Sequence, residues 1–244
     1  MRLGNANAPI YFPRIGGCIF VKKEEFMKQA QAIFYKDFGN SYIPHILKEI
    51  YIDKVYEPFL QGKKDLTVID AGANISLFSQ YIYDRSKVIY AIEPSADHFE
   101  CIVQTKNFNH LNKIIPIKIA LSHENGEAKF FHSQNTTMYS LNNAVSDGSN
   151  FESVETMTME KLFDDFDIGH IDFMKVDIEG AESEVFSSEG FSRVADKIDI
   201  IVGENHAWSN SSPQMLKNTI TDNGFSFKWL NATEATLFVA ERIR

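Results

Sequence analysis

The chain predicts a doubly wound α/β fold, a mostly parallel sheet with helices on both faces. Three observations carry this. From residue 66 to 224, short apolar, β-branched runs alternate with amphipathic helical stretches, the order that parallel strands need because each crossover takes a helix. Val68-Ile69-Asp70-Ala71-Gly72-Ala73-Asn74-Ile75-Ser76 reads as a buried strand, a tight small-residue turn and a helix start, the place where ligands sit in open α/β sheets. A length of 244 residues with 44% hydrophobic content is enough for one large domain with a buried core.

Residues 1–23 carry the breakers Gly4, Pro9, Pro13, Gly16 and Gly17, with Ile10–Phe12 and Cys18–Val21 as short extended pieces. Phe26, Ala30, Ile33 and Phe34 share a helical face over Lys23–Phe38, and Gly39 ends it. A second helix is expected from about His45 to Leu60, although Pro58 interrupts its pattern. Residues 1–62 therefore read as an N-terminal helical cap, and residues 63–244 as the main domain.

The opening strand leads into a helix at Leu77–Tyr83 with Ser76 as its cap. Lys87–Pro94 is the second strand and Ala96–Phe108 its following helix. Ile114–Leu121 is the third strand, with Pro116 suited to its start. Ala128–His132 reads as a hairpin strand, and residues 133–153, rich in Ser, Asn and Thr, as a long loop. Met159–Phe166 is a short helix, Ile171–Asp177 a buried strand, and Ile178–Glu182 a turn into a helix. Ile198–Glu204 is the next strand, Pro213 opens a helix that Gly224 closes, and Phe225–Leu230 with Thr236–Ala240 form a final strand pair.

The formal charge of −9 disfavours a nucleic-acid partner, whose readers need a basic stripe. Cys18 and Cys101 make no CxxC and no disulfide framework. No apolar segment approaches ~20 residues, and the first residues do not read as a signal peptide. A soluble cytoplasmic protein without membrane contact is the expectation.

Two strands end in acids, Asp70 and Glu93. An acid at the end of the second strand is placed to hydrogen-bond ribose hydroxyls. That fits NAD and S-adenosylmethionine alike, and the first turn separates them. A pyrophosphate needs G-x-G-x-x-G, whereas this turn has the single Gly72, with Asp70 and Asn74 at the neighbouring positions. A carboxylate there repels phosphate and favours the ammonium and sulfonium of S-adenosylmethionine.

The motifs Val68–Asn74, Ala91-Ile92-Glu93-Pro94, Ala120-Leu121-Ser122 and Lys175-Val176-Asp177-Ile178-Glu179-Gly180-Ala181-Glu182 resemble the FkbM family of S-adenosylmethionine-dependent methyltransferases, in the family's order over about residues 66–206. The resemblance implies a class I methyltransferase fold and O-methylation of a sugar or natural-product hydroxyl. It places Asp70, Gly72 and Asn74 at the methionine end, with Ala71 and Ile75 beside them. It also places Glu93 with Pro94 at the ribose, and Ala120, Leu121 and Ser122 by the adenine. The chain departs at Ser76, where the family carries glycine.

A hydroxyl is a poor nucleophile at neutral pH, so O-methylation gains from a general base. Candidates stand at two strand ends: Asp177 with Glu179, and Glu204 with His206. His206 has the best unperturbed pKa, with Glu204 to orient it. Asp177 can equally take the proton or hold the acceptor, and Glu182 suits a helix N-terminus. A Mg²⁺ on Asp177, Glu204 and Asn205 is the metal-assisted alternative to this metal-free base. The competing functions are a nicotinamide-dependent oxidoreductase and a non-catalytic nucleotide-binding domain. The acceptor is expected to be a small molecule or saccharide, for which Tyr11, Phe12, Tyr42 and Tyr139 are candidate stacking rings.

Overall fold

A computed structural model describes residues 18–21, 31–34, 43–132, 139–141, 150–206, 212–231 and 236–244. Strands β1 (Cys18–Val21) and β2 (Gln31–Phe34) form an antiparallel pair. Helix α1 (Ile43–Leu47) runs into a π-helical turn at Lys48–Asp53, and α2 (Glu57–Leu60) follows. Next come β3 (Leu66–Ala71), α3 (Leu77–Ile82), β4 (Ser86–Ile92), α4 (Ala96–Phe108) and β5 (Ile114–Ile117). Four short strands follow: β6 (Ala120–Leu121), β7 (Gly126–His132), β8 (Tyr139–Ser140) and β9 (Phe151–Met157). Helix α5 (Met159–Asp165), β10 (Phe173–Val176), α6 (Glu182–Ser187), α7 (Glu189–Ser192) and β11 (Ile200–Glu204) lead to α8 (Pro213–Asp222), β12 (Phe225–Trp229) and β13 (Leu237–Arg242).

Seven strands form the main sheet in the order β12-β13-β11-β10-β3-β4-β5. All neighbours are parallel except where β13 inserts, antiparallel to both β11 and β12. Alternate residues of β3 and β10 point into two separate cores. Val68 and Phe173 join the side of α1–α4, while Ile69, Ala71, Met174 and Val176 join the side of α5–α8. The sheet is thus covered on both faces, which is why its central strands are mostly apolar. Phe186, Phe191, Phe225 and Phe238 fill the second core as edge-on and stacked pairs. Each such ring contributes about 2–3 kcal/mol by burial.

Four differences from the expected elements have physical causes. Residues 31–34 are strand, not part of a helix over Lys23–Phe38, because pairing with β1 satisfies their backbone and β2 packs on α4. The helix expected over His45–Leu60 is broken at Lys54, which takes the left-handed conformation (φ 54°) and bonds the Glu49 carbonyl. Pro58 then falls in the first turn of α2, where its missing N–H removes no helix bond. The Ile114–Leu121 run divides: β5 is an edge strand of the main sheet, which accommodates Pro116, while β6 pairs with β9. That β9 uses residues 151–153 of the expected loop and builds a second sheet, β6-β9-β7-β8. Ile10–Phe12, Tyr42 and most of the 133–153 loop lie outside the described residues, as does the side chain of Tyr139. Among the described residues, no helix is long and apolar enough to cross a membrane.

Candidate functional site

Chain order reverses between β3 and β10, because β4 and β5 lie to one side of β3 and β10 and β11 to the other. In open α/β sheets the carboxyl ends at such a reversal diverge and leave a crevice. Gly72 sits there at φ 74°. A Cβ on it would stand 1.7 Å from the Asp177 carbonyl oxygen. Glycine is therefore required by the approach of the β10 backbone to the turn, beyond any room left for a ligand. The turn is held by N–H bonds from Gly72 and Ala73 to the Ile92 carbonyl, at 3.1 and 2.9 Å. Asn74 and Ser76 are also left-handed, at φ 51° and 66°. Ser76 stands at the helix start but its side chain makes no capping bond, which corrects the expected cap. Instead Gln80 Nε2 donates to the Ser76 carbonyl and hydroxyl at 3.3 and 3.4 Å.

Two clefts flank this turn, and Gly72, Asn74 and Asp177 line both. The first, about 570 Å³ of open space, is walled by Ile92, Pro94, Ala120, Leu121, Phe130 and Leu141. Glu93, His98, Ile119, Ile178, Glu179 and Ala181 complete its lining. Glu93 is fixed in place: Asn74 N–H donates to its Oε2 and Ser95 N–H to its Oε1, both at 2.9 Å. The second cleft, about 450 Å³, opens toward α1 and the π turn, with Glu49, Tyr56, Ile75 and Lys175 in its wall.

Asp70 lines neither cleft. It is fully buried beneath the turn, where Ser79 Oγ donates to its Oδ2 at 2.6 Å. Lys175, its register partner on β10, stands 3.6 Å from Oδ1. Burial pushes the Asp70 carboxyl upward, against the downward pull of Lys175 and the Ser79 hydroxyl. Lys175 Nζ donates to the Gly72 carbonyl at 2.8 Å and lies 3.4 Å from Asp177 Oδ2. Burial opposes its charge, but Asp177 and Asp70 more than restore it.

At the ends of β10 and β11 four carboxylates surround one histidine. His206 Nδ1 is 2.8 Å from Glu182 Oε1. Its Nε2 faces Glu179 at 3.4 Å, Glu204 at 3.6 Å and Asp177 at 3.8 Å. Burial alone would lower the His206 pKa. The Glu182 bond and the charges of Glu182, Asp177 and Glu179 outweigh it and raise the value to about 10. Burial and the Asp177 charge push the carboxyls of Glu179 and Glu204 up, although His206 pulls both down. Glu179 is held at φ 53°, with its carbonyl accepting from Ser140 Oγ at 2.5 Å.

The structure thus brings Asp177, Glu179, Glu204 and His206 together, as the strand order implied. Glu182 is the group that sequence reasoning undervalued: it is buried and bonds His206, where Glu204 was expected to orient the ring. Its Oε1 also accepts N–H bonds from Ile178 and Gly180. Lys175 was visible within its motif but carried no assigned role. Of the cofactor candidates, Gly72, Asn74, Glu93, Pro94, Ala120 and Leu121 line the first cleft. Ile75 lines the second cleft, while Ala71 and Ser122 are buried and line neither cleft. The metal-assisted alternative names Asp177, Glu204 and Asn205 as its ligands. Donor atoms of Asp177, Glu179 and His206 do lie within 4.8 Å of one another.

A model of the methyltransferase FkbM domain matches residues 70–227. Methyltransferase 1 of Beauveria bassiana is 29% identical over 167 aligned positions, covering 59% of this chain and 66% of that protein. Hexuronic acid methyltransferase AglP of Haloferax volcanii is 23% identical over 147 positions, covering 60% of this chain and 59% of that protein. The match to these relatives spans less than two thirds of their lengths. The crystal structure of methyltransferase FkbM from Methylobacillus flagellatus superposes with a TM-score of 0.52 at 14% identity, over 77% of this chain and 46% of that one. That likeness shows a common fold.

Proposed function

The chain belongs to the FkbM methyltransferase family, and on that footing we propose that it moves a methyl group from S-adenosylmethionine to a hydroxyl of a small molecule or saccharide. Asp177 carries the reading: among the described residues it is the one ionisable side chain in the wall of both clefts, beside the His206 cluster. The first cleft suits a nucleoside, with apolar walls for a purine and Glu93 for the ribose hydroxyls. Both Glu93 oxygens already accept one N–H, and each keeps a further lone pair. A hexuronic acid methyltransferase among the relatives supports a saccharide acceptor.

S-adenosylmethionine supplies a methyl group on a cationic sulfur, open to in-line displacement. The protein's part is to bring an acceptor oxygen to near-attack distance and to take its proton. At neutral pH His206 is an imidazolium, so it is not the proton acceptor. Asp177 is the base in this reading. It faces Lys175 at 3.4 Å and His206 at 3.8 Å, two cations that hold its carboxylate in place for the arriving hydroxyl. His206 is a positioning residue that gathers the carboxyl groups of Asp177, Glu179 and Glu204.

Two measurements test this. S-adenosylhomocysteine should give saturable binding heat, and labelled methyl should pass from S-adenosylmethionine to an oxygen of a saccharide in a panel that includes hexuronic-acid sugars. Asp177→Asn should lower kcat by about 10²–10⁴-fold while S-adenosylhomocysteine still binds. Activity should survive EDTA, and its loss to the chelator would replace the carboxylate base with a metal. Methylation at nitrogen, or saturable NADH binding without S-adenosylhomocysteine heat, overturns the reading. Binding without turnover across the panel favours a nucleotide-binding domain.

A further inference from the structure

Two successive residues in the turn between β10 and α6 have positive φ, Glu179 at 53° and Gly180 at 102°. Glycine adopts such values freely, and glutamate seldom does. The turn is fixed from two sides. Glu182 Oε1 accepts the N–H groups of Ile178 and Gly180 at 3.3 and 3.2 Å. From the second sheet, Ser140 Oγ donates to the Glu179 carbonyl at 2.5 Å. Ser140 is buried and pairs with Phe131 in the β7–β8 register, and its neighbour Leu141 lines the first cleft. A strained residue persists where its surroundings over-determine it, and such residues gather at ligand sites.

The side chain presented by this turn has an unmet bond. Glu179 lines the first cleft, and its Oε2 is buried with no hydrogen bond among the described residues. His206 Nε2 stands 3.4 Å from Glu179 Oε2 and 3.8 Å from Asp177 Oδ1. A carboxyl oxygen of Asp177 and one of Glu179 lie within 4.8 Å of each other. A buried oxygen left without a partner is destabilising. A ligand hydroxyl answers it in either protonation state, because a hydroxyl both donates and accepts.

We propose that Glu179 selects the acceptor by binding the hydroxyl next to the one that Asp177 deprotonates, so that the substrate class is a vicinal diol, and that Ser140 is the positioning residue that holds Glu179 there. This rests on the methyl-transfer reading above. Two carboxyl groups so close match two oxygens on adjacent carbons, whereas an isolated alcohol leaves Glu179 unpaired. A site built to bond a substrate hydroxyl rejects the analogue that lacks it. Ser140 acts through the backbone. Without its hydroxyl the Glu179 carbonyl loses this bond, the turn relaxes from its left-handed conformation, and the carboxyl group is withdrawn from Asp177.

The test supplies the full chain and S-adenosylmethionine with the methyl glycosides of glucose, galactose, glucuronic acid and galacturonic acid, and locates the new methyl group by NMR. The best acceptor is then compared with its deoxy analogue lacking the hydroxyl beside the methylated one. The wild-type protein should lose about tenfold or more in kcat/KM on the analogue. Glu179→Asn shortens the side chain with a residue suited to the left-handed region. It should lose about as much on the parent glycoside and be indifferent to the missing hydroxyl. Ser140→Ala should raise the KM for the glycoside several-fold, leave S-adenosylhomocysteine affinity unchanged, and add nothing to Glu179→Asn in the double variant. If Ser140→Ala fails to fold, Glu179→Asn with the deoxy analogue carries the test. Wild-type indifference to the missing hydroxyl, or a Glu179→Asn variant that still discriminates, overturns the diol contact while the methyl-transfer reading stands. Effects of Ser140→Ala and Glu179→Asn that add in full overturn the role of Ser140. Methyl transfer to none of the glycosides overturns the saccharide reading and the diol contact with it.

Discussion

Ser76 holds a left-handed conformation that costs a residue with a Cβ about 1–2 kcal/mol. Its departure from the family's glycine is therefore a departure in backbone strain, softened by the bonds from Gln80 to its carbonyl and hydroxyl. Ser76→Gly should stabilise the protein by up to about 1 kcal/mol, read as a higher urea midpoint at unchanged slope. A lower midpoint would mean that the Gln80 contact to the hydroxyl outweighs the strain. Single residues were legible as kinds of chemistry more than as places. Asp70 and Glu93 announce themselves as strand-end acids, yet only β3's alternation and the α3 contact decide that Asp70 points down to Ser79 and Glu93 out to the cleft. His206 was legible as a titratable group. Which of four nearby acids bonds its Nδ1 depends on how α6 docks, and Glu182 lies 24 residues away in the chain.

At the scale of elements, the β3 turn and the end of β10 behave as one unit, because Gly72 leaves no space between them. Gly72→Ala places a methyl against the Asp177 carbonyl and adds the cost of a positive φ. It should destabilise by about 3 kcal/mol or more, measured by urea unfolding, and weaken S-adenosylhomocysteine binding as well. A cost below about 1 kcal/mol would mean that the two tips part easily. The central strands of the main sheet were readable because burial on both faces makes them mostly apolar, as in Val88–Ile92 and Ile200–Val202. Helix α8 was readable from Pro213 at its start and Gly224 at its end, while the caps of α4 and α8, Ser95 and Ser212, which accept N–H bonds from His98 and Met215, emerge only in the structure. Strand β2 was misread because its four residues are too few to separate alternation from a helical face. Strand β9 was partly missed because Glu152, Ser153 and Glu155 hide its alternation; Glu152 faces His132 at 3.1 Å. Sheet membership, as in the division of Ile114–Leu121, depends on partners distant in sequence.

For the whole molecule, the His206 cluster makes stability depend on pH in one direction. Glu179, Glu204 and His206 all have folded-state pKa values above their usual ones. Over the interval from 4.5, the usual glutamate value, to about 10, the unfolded chain binds fewer protons than the folded one. Stability therefore falls as pH rises through that window. The His206 part is fully present below 6.5 and is lost toward about 10. Urea unfolding at fixed pH steps should show this decline, and His206→Gln should make it shallower between those two values. A flat profile in the wild type would remove the imidazolium from the site. The contact between Gly72 and the Asp177 carbonyl has a further consequence at this scale. It joins the first half of the sheet to the second where both clefts meet, so a ligand spanning the turn binds to both halves at once. Its binding free energy then adds to the free energy of opening at that seam, and ligand occupancy and the local unfolding of the sheet's middle become two readings of one equilibrium.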